Sequence, residues 1–162
     1  MQKKVSETSI VMSQIMQPED ANVAGNVHGG TIMKLIDNAA GVAAVRHCRS
    51  NAVTASVDRI DFHNPAYIGD LLIVKASLNM VGTTSMEVGA RVEAERVLTG
   101  DRYHIASAYL TYVSLDEDLK PKPAPQLAVQ TEAEKRRNKE AQTRRTMRLE
   151  EKKRETACQH DL

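Results

Sequence analysis

Apolar residues follow two rhythms along this chain. Between Met86 and Val92 they take every second position, as Met86, Val88, Ala90 and Val92. A period of two marks a strand with one buried face. The segments "LLIVKASLNMV" (71–81), "SMEVGARVEAERV" (85–97) and "RYHIASAYLTYVSL" (102–115) read as three such strands, with "GTT" (82–84) and "LTGD" (98–101) as turns. "TASVDRIDFHN" (54–64) alternates as another strand, and "PAYIGD" (65–70) turns the chain after it. "VSETSIVMSQIM" (5–16), rich in β-branched residues and closed by Pro18, reads as a first strand. "QPEDANVAGNVHGG" (17–30) has loop chemistry throughout. The stretch from Gly29 to His47 is apolar over most of a helix circumference, which predicts a helix buried on nearly all sides.

Short turns between successive strands favour antiparallel pairing. Strand, long loop, long helix and four more strands predict an α+β fold in which an antiparallel sheet wraps one central helix. One sheet covers only one side of a helix, and the simplest cover for the other side is a second copy of the chain.

Composition adds a boundary. The 162 residues suffice for one domain and an extension. Residues 131–162 carry ten Lys/Arg and seven Asp/Glu, a net of +3, whereas residues 1–130 carry a net of −2. With the Pro-rich "KPKPAPQ" at 120–126, this divides the chain into a folded domain (6–119), a connector (120–130) and a charged tail (131–162). Glu132–Arg136, Glu140–Arg144 and Glu150–Arg154 have the i,i+4 spacing of helix-stabilising pairs, so the tail is expected to be helical. Met147 and Leu149 are its main apolar anchors. Acids interleaved with the bases argue against nucleic acid. No signal peptide is visible and no run approaches the ~18 apolar residues of a membrane span, so a cytoplasmic protein with no membrane partner is expected. Cys48 and Cys158 are far apart and lack metal spacing, as expected of free thiols in a reducing compartment. His47, His63, His104 and His160 form no i,i+4 pair or acid cluster, and no metal is expected.

The densest chemistry lies in "GNVHGGTIMKLIDNAAG" (25–41). Asp37 sits among Met33, Leu35, Ile36, Ala39 and Ala40. A helix interior disfavours Asp, and burying an unpaired carboxylate is costly. Asp37 therefore either faces solvent, pairs with Lys34 or Arg46, or does chemistry. Gly29 and Gly30 stand at the helix start, where unpaired N–H groups and the helix dipole favour a developing negative charge. The alternative is that they only permit a tight loop. Asn26 either holds a water or carbonyl, or closes an Asx turn. His28 is a general base or, more commonly for such a residue, a helix cap.

The segments "PEDANVAGNVHGGTIMKLIDNAAGVAAVRHC" (18–48), "DRIDFHNPAYIGD" (58–70) and "GTTSMEVGARVEAE" (82–95) resemble the hotdog-fold acyl-CoA thioesterases, specifically the brain acyl-CoA hydrolase group and its bacterial relatives. The likeness covers residues 6–118. It implies a hotdog domain and hydrolysis of fatty acyl-CoA to free acid and CoA, with no cofactor, since CoA is part of the substrate. It places Asn26 and Asp37 at the two positions used for catalysis. In two-domain members these come from different repeats, whereas this chain carries both in one unit. Active sites between hotdog units, and dimers assembling into hexamers as trimers of dimers, are also implied. On this reading Gly29 and Gly30 polarise the thioester carbonyl, Asp37 activates water or attacks directly, and Asn26 orients the reactants. Thr83, Thr84, Ser85, Arg59 and Arg91 are expected CoA contacts. The competing function is a hotdog protein that binds acyl-CoA without cleaving it, as a sensor or carrier, which would need no carboxylate beside a thioester.

Overall fold

The computed structural model describes residues 2–158, and side chains to residue 156. Strands β1 (Gln2–Lys4), β2 (Ile10–Ile15), β3 (Ala52–Phe62), β4 (Asp70–Val81), β5 (Ser85–Arg96), β6 (Arg102–Ser114) and β7 (Gln126–Ala128) accompany helices α1 (Gly29–Cys48) and α2 (Glu132–Cys158). The main sheet is antiparallel throughout, in the order β2-β4-β5-β6-β3. It curls around α1, as the strand and helix pattern predicts, and this is the hotdog arrangement that the resemblance implies.

The core follows the two periodicities. Ile32, Leu35, Ile36, Ala39, Ala40, Ala43 and Ala44 form the buried stripe of α1. They meet the inward residues of the sheet, among them Val74, Leu78, Met86, Val88, Val92 and Leu110. The alanines let helix and sheet approach closely, which suits a core with few aromatics. α1 ends at Arg49, whose left-handed backbone (φ 53°) returns its N–H to Val45 O at 2.8 Å.

Three expectations need correction. The first strand does not run from residue 5 to 16. The Ser9 N–H and both the Thr8 and Ser9 hydroxyls donate to Val5 O, so "SETS" folds back and β2 begins at Ile10. As expected of a helix that one sheet covers on one side only, Met33, Val42 and Val45 remain 44%, 39% and 42% exposed in the single chain. Edge strand β3 adds exposed Val53 and Val57.

The tail is helical, but Met147 and Leu149 do not anchor it, being exposed. Its anchors are mainly polar and lie on the sheet face opposite α1. Asn138 Nδ2 donates to Asn79 O at 2.8 Å, Ala141 is fully buried, Arg144 grips Glu87 at 2.7 and 3.1 Å, and Arg148 reaches Asp58 at 2.7 Å. The expected pairs along the tail also change. Arg144 is drawn to Glu87 rather than Glu140, Glu140 takes Arg136, and Glu132 takes Lys135. Glu150–Arg154 is not an ion pair among the described residues. The readings of His160 and of the Cys158 thiol fall outside the described residues.

Candidate active site

The loop before α1 is held by its own polar groups. His28 N–H donates to Asp20 O and Val27 N–H to Ala66 O, each at 2.8 Å. Asn22 Nδ2 donates to Asn26 Oδ1 at 2.6 Å, while Asn22 Oδ1 accepts from Ala24 N–H at 2.9 Å. The Asn26 NH₂ group has no acceptor among the described residues. His28 is the N-cap of α1, and its Nδ1 accepts from Gly30 N–H at 2.8 Å. This cap corrects the pairing of Gly29 with Gly30 as two free donors. Gly30 N–H is already committed, whereas Gly29 N–H has no acceptor among the described residues. Asn26, Gly29, Ile32, Phe62 and His63 line a cavity of ≈ 370 Å³ there.

Among the described residues Asp37 forms an ion pair with neither Lys34 nor Arg46, and the Arg46 guanidinium donates instead to Ser9 O. Two hydroxyls from the sheet, Thr54 Oγ1 and Tyr112 OH, donate to its Oδ1 at 2.7 Å each. Tyr112 OH also reaches Asp37 O at 2.9 Å. Asp37 Oδ2 accepts nothing among the described residues. Burial, then the Asp37 carboxylate beside it, pushes the Tyr112 phenol well above its usual range, so it remains a donor. In the single chain Asp37 is exposed, not buried. It lies on the uncovered face of α1, on a groove of ≈ 700 Å³ shared with Gly41, Val42, Val45, Thr54 and Tyr112. The helix-start cavity and the Asp37 groove have no lining residue in common.

Thr83, Thr84 and Ser85 form the β4–β5 turn, closed by Gly82 N–H to Ser85 O at 2.8 Å. Arg59 is bound to Asp61 at 2.5 Å and Arg91 to Glu93 at 2.8 Å. Glu93 also holds Lys75, and Lys75 and then Arg91 pull its carboxyl down to about 2. In register, Arg59 faces Tyr109 and Arg91 faces Ser107, beside the inward pair Ala90–Ala108, so both arginines lie on the face away from α1 and Asp37. No group of three or more His, Cys, Asp or Glu among the described residues is arranged to hold a metal. No described helix is long and apolar enough to cross a membrane.

Sequence reading missed Thr54, Tyr112 and Asn22. Tyr112 left one clue: alternation places it with Leu110 and Ala108 on the inward face, where a phenol needs a partner.

A family model described as thioesterase superfamily matches residues 24–100. The mouse cytosolic acyl coenzyme A thioester hydrolase is 42% identical over 141 residues, covering 86% of this chain but 36% of the relative. The chain thus spans about a third of the length of that mammalian relative. The acyl-CoA thioester hydrolase YkhA of Bacillus subtilis, described as uncharacterized, is 39% identical over 79% of this chain and 74% of the relative. A solved apo-hexameric acyl-CoA thioesterase superposes with a TM-score of 0.90 at 37% identity, over 93% of this chain and 96% of that one. The acyl-CoA hydrolase of Staphylococcus aureus, solved with butyryl-CoA, CoA and CoA disulfide, superposes with a TM-score of 0.91 at 32% identity, over 98% and 96%. That protein is also known as variants with Ala in place of one Asp, of an Asn fifteen residues before it, or of a Thr seventeen residues after it. The fold and these likenesses define a hotdog thioesterase domain. The chain belongs to the thioesterase superfamily, among the relatives of the cytosolic acyl-CoA thioester hydrolases and their bacterial counterparts.

Proposed function

We propose that this protein hydrolyses acyl-CoA thioesters to a free acid and CoA, with Asp37 as the reacting carboxylate. The observation that carries the reading is the state of that side chain. Two donors fix one oxygen, and the other accepts nothing among the described residues and lies at the wall of a groove. Such a carboxylate suits a general base. It takes a proton from water, the hydroxyl oxygen adds to the thioester carbonyl carbon, and the C–S bond breaks to release the CoA thiolate, which takes up a proton. Gly29 N–H, without an acceptor among the described residues and at the positive end of α1, is the donor for the developing oxyanion. Gly30 supports it indirectly by fixing the His28 cap. Asn26 offers its free NH₂ to the carbonyl or the water.

Applied from Asp37, the spacing of the S. aureus variants falls on Asn22 and Thr54. Asn22 is hydrogen-bonded to Asn26, so the asparagine role belongs to this pair, and separate Ala variants decide which member touches substrate. Fatty acyl-CoA is the substrate class, with Thr83, Thr84 and Ser85 as CoA contacts. Arg59 and Arg91, tied to their own acids, contribute positive potential at most. The uncovered apolar face of α1 and edge strand β3 take a second copy of the chain, and such dimers assemble as a trimer of dimers, by likeness to the hexameric relative.

The test is release of CoA thiol from acyl-CoAs of increasing chain length, for wild type and Asp37→Asn. The expected loss in kcat is about 10²–10⁴-fold. Single turnover in H₂¹⁸O should label the fatty acid and leave Asp37 unlabelled, whereas label in Asp37 would indicate direct attack. CoA binding without thiol release from any acyl-CoA would return the protein to the sensor or carrier reading.

A further inference from the structure

α2 carries three arginines on the face it turns toward the sheet and turn, and two have evident tasks. Arg144 is bound to Glu87 and stacked over Tyr109, with its guanidinium 3.7 Å from the ring centre, and Arg148 is bound to Asp58 and Thr111. Arg145 has neither an ion pair nor a hydrogen bond among the described residues, although it is only partly exposed. A guanidinium has five N–H donors and no acceptor, so a half-buried one without a protein partner is suited to an anion from outside.

Its position sharpens the point. Arg145 lies across the β4–β5 turn. The place where a Cβ on Gly82 would stand is 3.4 Å from Arg145 Nη2, 3.5 Å from its Cζ and 3.3 Å from Ser85 Oγ. Glycine at 82 thus keeps the arginine head, the serine hydroxyl and the turn backbone together. The hydroxyls of Thr83, Thr84 and Ser85 make no hydrogen bond among the described residues. The Thr83 and Thr84 N–H groups likewise find no acceptor there. Ser85 and Arg145 line one cavity of ≈ 730 Å³ with Lys152, which also has no acid partner among the described residues, with Arg59, which is held by Asp61, and with Glu151 and Glu155 on its wall. Neutral donors beside one unpaired arginine match a phosphate ester, which has several acceptor oxygens and up to two charges.

We propose that Arg145 and the Gly82–Ser85 turn bind a phosphate group of the CoA nucleotide, so that α2 is part of the substrate-binding surface. This rests on the acyl-CoA reading above. It assigns a role to a helix that sequence pattern alone marks only as charged.

The experiment compares wild type, Arg145→Gln, Arg145→Lys and, as a control for charge on the same helix, Arg136→Gln. Three thioesters with one acyl group are used: acyl-CoA, acyl-dephospho-CoA lacking the 3′-phosphate, and acyl-pantetheine lacking all phosphates. Arg145→Gln should raise KM for acyl-CoA about ten- to a hundredfold, the range for one charge-assisted hydrogen-bonded contact, with kcat changed less than about threefold. Arg145→Lys should recover part of the loss, Arg136→Gln should match wild type, and the effect should vanish with acyl-pantetheine. If it vanishes already with acyl-dephospho-CoA, the 3′-phosphate is the group bound; if it persists there, the diphosphate is. An unchanged KM for acyl-CoA, or an equal rise with acyl-pantetheine, overturns the proposal. Calorimetric titration of CoA itself separates this from the hydrolase reading. If wild type cleaves no thioester but Arg145→Gln weakens CoA binding, the subsite stands and the hydrolase reading falls.

Discussion

Replacing Tyr112 by Phe removes one hydroxyl and little else. The ring is 1% exposed, packed in the core beneath α1, and Phe fills the same space. What goes is the donor to Asp37 Oδ1 at 2.7 Å and to Asp37 O at 2.9 Å. A hydrogen bond to an ionised partner contributes about 1.5–3 kcal/mol, and much less of that appears in stability where the acceptor can rehydrate. Asp37 is exposed in the single chain, so the folding cost should stay near ~1 kcal/mol. The catalytic cost should be larger, because Thr54 Oγ1 is then left as the one donor to the carboxylate among the described residues, and a loose base loses its alignment with water. A drop in kcat of about 10- to 100-fold with KM little changed is the expected signature. Thr54→Val should act alike. Since both hydroxyls serve the same oxygen, the double variant should depart from additivity by more than ~0.5 kcal/mol. Thiol-release kinetics on the four proteins of this cycle, alongside urea unfolding, provide the measurement. Wild-type kcat in a folded Tyr112→Phe, or strict additivity of the pair, would refute the view that the two hydroxyls position Asp37 for chemistry.

The His47 imidazole is fully buried at the end of α1, and burial is the main cause of its pKa lying below the ordinary 6.5. The unfolded chain therefore binds the proton first, and the stabilisation is complete above about pH 6.5 and lost as pH falls below it; the urea midpoint should decline on that side, less steeply in His47→Gln, with His104 contributing the same sign. Arg144→Ala should destabilise by about 3 kcal/mol, as expected when one partner of a buried pair is removed, because Glu87 is left 1% exposed without its counter-charge; Glu87→Met with Arg144→Met should recover much of the loss in the same urea titration.

What the sequence made legible is what repeats locally. The alternation of Met86, Val88, Ala90 and Val92 located β5 and its inward face. The apolar run from Gly29 located α1. Asp37 stood out because it is a chemical misfit in a regular pattern. Its supports were not legible, because they arrive through tertiary pairing: Thr54 lies 17 residues along the chain and Tyr112 lies 75, and both are ordinary strand residues by type. The tail misled for the same reason. Glu140 and Arg144 have ideal helical spacing, yet Glu87, buried on the far face of β5, offers Arg144 a stronger partner than a solvated neighbour. Glu87 at an outward strand position was unremarkable until a helix covered it. His28 and Gly30 show the limit at close range. Residue types announced a helix start, but only the backbone reveals that the imidazole occupies one of the two glycine N–H groups.

The separation of the two half-sites leads to the final prediction. Asn26 and Gly29 belong to the cavity at the start of α1, and Asp37 belongs to a groove that begins two turns later. Eight residues of helix separate Gly29 from Asp37, about 12 Å at ~1.5 Å per residue. A general base must come within about 3 Å of its water, and that water must adjoin the carbonyl. A carbonyl held at Gly29 is therefore beyond the Asp37 of the same chain. Met33, Val42 and Val45 leave an apolar strip on the Asp37 side of the helix, suited to a neighbouring α1 running in the opposite direction. Two antiparallel helices bring the start of each beside the middle of the other, giving two equivalent composite sites per dimer. A mixed dimer puts this to the test: one chain carries Asp37→Ala, and the other carries whichever of Asn22→Ala and Asn26→Ala abolishes activity alone. Composite sites place both lesions in one site and neither in the other, so the heterodimer should regain about half of wild-type activity from two nearly inactive parents. If purified heterodimer, with chain exchange verified by mass spectrometry, stays as inactive as its parents, each site is built from one chain and the 12 Å argument fails.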